Sequence, residues 1–316
     1  MDSLSHLVHM LSPTGTVDLL CRYVGAWALD NGPAPPGHVP YHVVLRGRAR
    51  LRSGQQTLEL AAGDVLMFPH GARHTLVSAV DADDLAPPPT PSETQHFNGV
   101  VTEVEQQGEG EPYDMLCGNF VLGDAGSALM RSLPEVVRVV AGPRTGLIAL
   151  IEMMRAETME PRPGGAAVVS ELSTALFALV LRSLVSEQAL GTGVLALMAD
   201  PRLSRAVEAV LRDPAQHWTL AGMAAQALMS RATFARQFAQ TGGITPMEWV
   251  ADVRMELAAR LLTRENLTAG QVAERCGYAS EAAFGRAFRE HVGETPGAFR
   301  RQQRQRREAA MAAGSA

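Results

Sequence analysis

The sequence contains no lysine, so all 28 of its basic side chains are arginine. Any cationic contact to an anionic partner is therefore made by a guanidinium, whose planar fork favours paired hydrogen bonds over a point charge. Cysteine is scarce as well. Cys21, Cys117 and Cys276 are three in number and far apart, which argues against a disulfide scaffold and for a reducing, cytoplasmic setting. No uninterrupted apolar run reaches the ~18 residues expected of a membrane span. Met1 to Leu11 has an acid at Asp2 and no basic leader region, so no secretion signal is expected.

What is present is a globular composition, 46% hydrophobic and 19% charged, on 316 residues. That length has room for about two domains. The net charge of -5 is unevenly spread: from position 200 onward 16 arginines face 12 acids, whereas before it 12 face 21. The positive part is the one suited to phosphate, although a surplus of four is also common in enzymes.

Short strands broken by Gly and Pro are expected at Val17–Trp27, Tyr41–Leu45, Ala49–Leu51, Thr57–Leu60, Val65–Phe68 and Thr75–Val77, the spacing of a β-sandwich or barrel. Residues 81–112, rich in acids, proline and glycine, read as a mobile insertion, after which Met115–Val121 restores the β pattern. Helical periodicity follows over Arg144–Met159 and Ala166–Glu187. There Val169, Leu172, Leu176, Leu179 and Val180 form one apolar stripe, suited to a core or to a second copy of the chain. Gly191–Gly193 reads as a hinge.

The strongest signal is an internal repeat. Ser230, Phe234, Phe238, Thr245 and Pro246 recur 50 positions later as Ser280, Phe284, Phe288, Thr295 and Pro296. Thr268 with Gln271 forms a capping box, Gly277 suits a helix stop, and Ser230 and Ser280 suit N-caps. Thr245, Pro246 and Glu248 start a long helix that joins the copies. Two helix-turn-helix units on one connector could place two second helices in successive major grooves, ~34 Å apart. One such unit alone is weakly specific.

Over residues 200–302, Trp218-Thr219-Leu220, Gly277-Tyr278-Ala279-Ser280-Glu281, Arg286-Ala287-Phe288, Gly293 and Thr295-Pro296 resemble the DNA-binding domain of the AraC family. The match departs at Leu228, where the family often has glycine. Opposite the phenylalanines lie Arg231, Ala232, Thr233 and Arg236 in the first copy and Glu281, Ala282 and Arg286 in the second. These are the candidate DNA-binding residues, with Arg236 and Arg286 as guanine readers. Arg300, Arg301, Arg304, Arg306 and Arg307 make a basic tail, suited to phosphate or to solvent.

In the N-terminal half, Gly63, Pro69, Gly71 and His74 are spaced like the second metal motif of cupin barrels, and Tyr41-His42 through Gly47 resembles a degenerate first motif. The usual second histidine and glutamate are missing, which disfavours an enzyme site. Cys21 and Cys117 could complete a Cys2His2 set with His42 and His74, a donor set suited to zinc. The N-terminus, Cys21, Tyr41-His42 and the C-terminal half resemble the reactive-chlorine-responsive activators of the AraC family. That resemblance implies oxidation at Cys21 as the switch, with Cys117 as the second redox candidate, and a homodimer.

The expectation is an α+β multidomain chain: a cupin-like sensor β-barrel at 1–142, a helical linker or dimerisation segment at 143–196, an all-α AraC-type DNA-binding domain with two helix-turn-helix units at 197–302, and a basic tail at 303–316. Its expected function is transcription regulation without enzyme activity. Double-stranded DNA is its partner, with RNA polymerase added if it activates. A small organic ligand in the barrel is the alternative effector, and a cupin metalloenzyme with a helical accessory domain is the third reading.

Overall fold

The computed structural model describes residues 2–78, 93–122, 130, 132–143 and 145–313. The chain begins with helix α1 (Ser3–Leu11), whose N-terminal amide at Ser5 is taken by the Asp2 carboxylate. Eleven strands follow: β1 (Thr14–Val24), β2 (Ala28–Asn31), β3 (His38–Arg46), β4 (Arg48–Ser53), β5 (Gln56–Ala61), β6 (Asp64–Met67), β7 (His74–Ser78), β8 (Thr94–Phe97), β9 (Thr102–Gln106), β10 (Pro112–Val121) and β11 (Val137–Val140). They form a seven-stranded sheet in the order β11-β6-β3-β10-β1-β9-β8 and a four-stranded sheet in the order β2-β7-β4-β5. Between the sheets lies one apolar core that includes Tyr23, Trp27, Leu51, Phe68, Leu76 and Met115.

Helices α2 (Leu147–Met159) and α3 (Gly165–Ser186) belong to this β unit, which spans Pro13–Leu122 and Met130–Ala189. They cover the outer face of the large sheet. Phe177 meets Phe120 at 5.1 Å, Tyr41 Oη lies 2.8 Å from Ser173 Oγ, and a Cβ on Gly15 would sit 2.3 Å from that same oxygen. One expected boundary changes here, and the apolar stripe takes the core role expected as one of its two uses. The segment after the barrel is part of the barrel's unit rather than a linker. Within its apolar stripe, Val169, Leu176 and Val180 are buried in the chain's own core, and only Leu172 and Leu179 remain half-buried. Helix α3 is long and apolar enough to cross a membrane by length and composition, but its apolar face is the one packed on the sheet.

The expected mobile insertion also resolves in part. Residues 94–97 and 102–106 are strands, and β9 runs parallel to β1 with Val104 opposite Cys21. The alternation was obscured because one inward position is polar: Gln106, 3% exposed, donates to the Ala26 carbonyl. Residues 81–92 lie outside the described residues.

From Leu190 the chain forms a second, helical unit: α4 (Val194–Ala199), α5 (Leu203–Arg212), α6 (Leu220–Gln226), α7 (Arg231–Gly242), α8 (Pro246–Arg264), α9 (Ala269–Arg275), α10 (Glu281–Val292) and α11 (Pro296–Ala313). Helix α1 is a member of this unit, not of the barrel. It packs on α5 and α8 with Leu7, Met10 and Leu11 buried, while Arg260 and Arg264 donate to the His9 and Ser12 carbonyls. The basic segment expected as a tail continues α11 as far as Ala313.

Candidate functional sites

The two helix-turn-helix units are built by local chemistry that the repeat made visible. Ser230 and Ser280 each accept the amide three residues on, at 3.2 Å in both copies, which starts α7 and α10 in the same way. Both capping boxes expected on α8 and α9 are present, Thr245 with Glu248 and Thr268 with Gln271. Phe234 and Phe238 are fully buried on one side of α7, and Phe284 and Phe288 on one side of α10. Each pair therefore fixes the roll of its helix and so decides which residues remain outside.

The exposure pattern of 231–238 repeats without change at 281–288. Arg231, Ala232 and Arg236 are exposed in the first copy, as are Glu281, Ala282 and Arg286 in the second. Thr233 is half-buried, with its hydroxyl 2.9 Å from Ser230 Oγ, so its polar group is turned to the cap. The Glu281 carboxylate leans back toward α9: a Cβ on Gly270 would lie 3.2 Å from its Oε2. Arg286 and Arg289 line an open groove with Gly285 and Pro296. Arg300, grouped with the basic tail in the sequence, instead donates to the Leu262 and Leu267 carbonyls at 3.1 and 2.5 Å. It closes the end of α8. The side chains of Arg306 and Arg307 lie outside the described residues.

Within the barrel, Cys21, Cys117, His42 and His74 are all buried and are brought together. Three adjacent strands do this. His42 on β3 stands opposite Cys117 on β10, and Cys21 on β1 lies diagonally across the next ladder, where Cys117 pairs with Leu19 and Cys21 with Met115. His74, at the start of β7, reaches in from the other sheet and stacks on Phe68 at 3.6 Å.

The four side chains form a chain, not a cage. Cys21 Sγ is 3.8 Å from Cys117 Sγ, which is 3.2 Å from His42 Nδ1, and His42 Nε2 is 2.7 Å from His74 Nε2. The chain ends where His74 Nδ1 donates to the Ala72 carbonyl at 2.8 Å. Burial lowers the His74 pKa, and burial with His74 alongside brings His42 down to about 3, so both rings are neutral. The carbonyl can only accept, and this orders every proton. His74 Nε2 accepts from His42 Nε2–H, His42 Nδ1 accepts from Cys117 S–H, and Cys21 S–H points at the Cys117 sulfur.

When a proton leaves, it leaves Cys21. The Cys117 S–H then turns from His42 Nδ1 to the Cys21 thiolate; that hydrogen bond lowers the Cys21 pKa against the effect of burial, and the same bond together with burial raises that of Cys117.

The donor types suit zinc, but as placed the four side chains do not converge on one point. One zinc ion needs all its ligands within ~2.0–2.3 Å of one point. His42 faces the sulfurs with one ring nitrogen and His74 with the other, on opposite sides of the ring, so no point serves all four. Among the described residues no group of three His, Cys, Asp or Glu side chains is arranged to hold a metal ion. Cys21, His42, His74 and Cys117, the residues expected to hold zinc, are here joined in a hydrogen-bonded thiol–imidazole chain.

The sequence had no signal for two members of this environment. Trp27, stacked on Tyr113 at 4.7 Å, shares the core of the two thiols, and the Ala72 carbonyl orders the chain's protons from outside it.

Residues 2–186 match a family model described as Cupin, and residues 223–302 match one described as Helix-turn-helix domain. The chain is 28% identical over 310 residues to the RCS-specific HTH-type transcriptional activator RclR of Escherichia coli K12, covering 96% of this chain and 99% of that protein. It is 30% identical over 308 residues to the HTH-type transcriptional regulator MtrA of Neisseria gonorrhoeae, covering 96% and 99%. The DNA-binding domain of AdpA, solved in complex with a target DNA, is 35% identical and covers 34% of this chain and 97% of that one, with a TM-score of 0.33.

Proposed function

Because the chain belongs to the AraC-type helix-turn-helix regulators that carry an N-terminal cupin domain, we propose that an oxidant of the hypochlorous acid class sets its DNA binding by joining Cys21 to Cys117. The chain is a transcription regulator and not an enzyme. The observation that carries the oxidant reading is the pair of buried sulfurs 3.8 Å apart, backed by an ordered imidazole chain. The name of the E. coli relative, RCS-specific, points the same way.

The chemistry balances with hypochlorous acid as oxidant. The Cys21 thiolate attacks chlorine, so an S–Cl bond forms and the O–Cl bond breaks with its electrons on hydroxide. Cys117 then attacks the Cys21 sulfur, the S–S bond forms, and chloride leaves. With the charge on Cys21 consumed by the S–Cl bond, the Cys117 S–H faces His42 Nδ1 again, and its proton departs along that bond and ends as water with the hydroxide. Two thiol sulfurs are oxidised and one chlorine is reduced to chloride.

A disulfide bond is ~2.05 Å long, so the sulfurs must close by nearly half their separation and Cys117 must leave His42. Both cysteines lie on the β1–β10 ladder, and β1 follows α1 after only Ser12 and Pro13. Since α1 is packed within the helical unit, strain in β1 has a covalent route to the DNA-binding half.

In that half, Arg231, Ala232, Arg236, Ala282 and Arg286 form the reading surface, with Arg236 and Arg286 as guanine contacts. The deciding experiment measures the full-length protein's affinity for its DNA site before and after one equivalent of hypochlorous acid, for wild type and for Cys21→Ser. A shift in the wild type that Cys21→Ser lacks supports the reading. An equal response from both sinks it in favour of a small organic effector.

A further inference from the structure

The two helix-turn-helix units touch at a second place besides the helix that joins them. The loop leading into the first unit, residues 213–218, has its carbonyls held by side chains. Trp218 Nε1 donates to Asp213 O, Arg254 Nε to Pro214 O and Arg254 Nη2 to Gln216 O, each at 2.9 Å. Arg254 rises from the middle of α8, and the same guanidinium lies 5.7 Å from the ring centre of Tyr278 in the turn of the second unit. Beside it Gly277 sits at φ +75°, where an added Cβ would be 2.3 Å from the Ala215 carbonyl oxygen. The turn of one unit is therefore pressed, backbone against backbone, on the entry loop of the other.

A single helix is a poor spacer by itself. At 1.5 Å per residue, α8 is about 28 Å long, and although it fixes the distance between its ends, each unit can rock where it joins the helix unless something else holds it. A second contact to one side of it closes a triangle and removes the hinge. The core of the first unit lies against the first half of α8, where Phe238 meets Trp249 at 5.7 Å. That of the second gathers Phe284 and Phe288 with Leu261 and Leu262. Arg254 belongs to neither core. It is half-buried, its bonds go to loop carbonyls that water could otherwise satisfy, and two of its nitrogens are already committed there rather than aimed at phosphate.

We propose that Arg254 is a positioning residue that fixes the separation of α7 and α10, so that the protein selects DNA by the spacing of two half-sites as well as by their bases. This rests on both helices reading one duplex. Gly277 and Tyr278 are the other members of the clamp: one permits the close approach and the other supplies the ring that the guanidinium covers.

The test uses the full-length protein and a duplex selected by the wild type from a random library. From this duplex come versions whose spacer is lengthened or shortened by two base pairs, and each half-site alone. Two base pairs turn and shift one major groove against the other by about a fifth of a helical turn, so the wild type is expected to lose roughly tenfold or more in affinity. Arg254→Ala is expected to bind all spacings within about threefold of one another, while binding isolated half-sites like the wild type and keeping the wild type's unfolding profile. Arg254→Lys keeps a charge near Tyr278 but cannot bridge both carbonyls, and should fall between. Tyr278→Phe, which keeps the ring, should retain the wild-type profile, and Tyr278→Ala should flatten it. A uniform loss on every duplex, half-sites included, or an unchanged spacing profile in Arg254→Ala, would overturn the proposal. A wild type indifferent to spacing would instead overturn the two-helix reading beneath it, and the proposal with it.

Discussion

Leu228 stands where Gly277 stands in the second helix-turn-helix unit, and the two share a left-handed backbone, φ +55° against +75°. Gly277 has no room for a side chain, because of Ala215. Leu228 has ample room: it is 77% exposed, the largest exposure among the large hydrophobic residues described. The first turn thus keeps the family's geometry without its glycine.

That arrangement predicts that Leu228→Gly stabilises the protein. A leucine in the left-handed region costs ~1–2 kcal/mol, and glycine returns ~0.5–1 kcal/mol of this through the freedom it adds to the unfolded chain. Little burial is lost at so exposed a site, so a net gain of about 0.5–1 kcal/mol is expected. Urea unfolding should show a higher midpoint at unchanged slope. A lower midpoint would mean that the leucine side chain makes a contact worth more than its strain.

Helix α1 should matter to the helical unit rather than to the barrel that follows it in sequence. Leu11 is 2% exposed and packs in the unit formed with α5 and α8. Leu11→Ala is expected to cost ~2–4 kcal/mol, the usual range for emptying a buried leucine site. Hydrogen exchange locates the loss: amides of α5 and α8 should exchange faster, while the β1–β10 ladder keeps its protection. Faster exchange confined to the barrel would contradict the placement.

The helical half was legible because its signals are local. Caps, an N1 proline, a helix-stopping glycine and paired phenylalanines each act within one turn, and a repeat states them twice. The barrel was legible in its strands but not in its site. His42 and His74 were found through spacing, yet only the pairing of β3, β10 and β1 reveals that Cys117 stands between His42 and Cys21. That the four groups form a chain depends on which ring nitrogen faces which neighbour, and no spacing in the sequence encodes it. Arg254 was invisible for a similar reason: its partners Pro214, Gln216 and Tyr278 are brought to it only by the fold.

Arg236 and Arg286 should each carry sequence preference. Both are exposed at the same position of the repeat, on the side of α7 or α10 opposite its buried phenylalanines. Replacing either with alanine is expected to cost ~1–3 kcal/mol of discrimination at one guanine and to leave other positions unchanged. Glu281→Ala should not weaken binding, because its carboxylate leans toward α9 and would repel phosphate if it turned outward. Competition with single-base site variants checks all three. A loss spread evenly over all sequences would reassign the arginines to the backbone.

Oxidation should consume two thiols and spare the third. All three cysteines are buried thiols, but Cys21 and Cys117 lie 3.8 Å from one another, and of that pair Cys21 is the one whose partner lowers its pKa. Burial pushes Cys276 up to about 12, which keeps it protonated and slow toward an electrophilic oxidant. One equivalent of hypochlorous acid is therefore expected to lower the intact mass by two hydrogens, leaving a single alkylatable thiol at Cys276 after unfolding. Trp27 shares the core with both reacting sulfurs, so its fluorescence should change in step, and Cys21→Ala or Cys117→Ala should abolish the change. His42→Ala removes the acceptor that orders the Cys117 proton. It is expected to slow disulfide closure and let Cys21 be oxidised further instead, giving an oxygen adduct in the mass spectrum. Zinc measured in the same samples should fall well below one ion per chain before oxidant is added. One zinc per chain, released as the thiols react, would show that His42 turns from His74 toward the sulfurs, and the chain arrangement would have to be abandoned for a metal-held one.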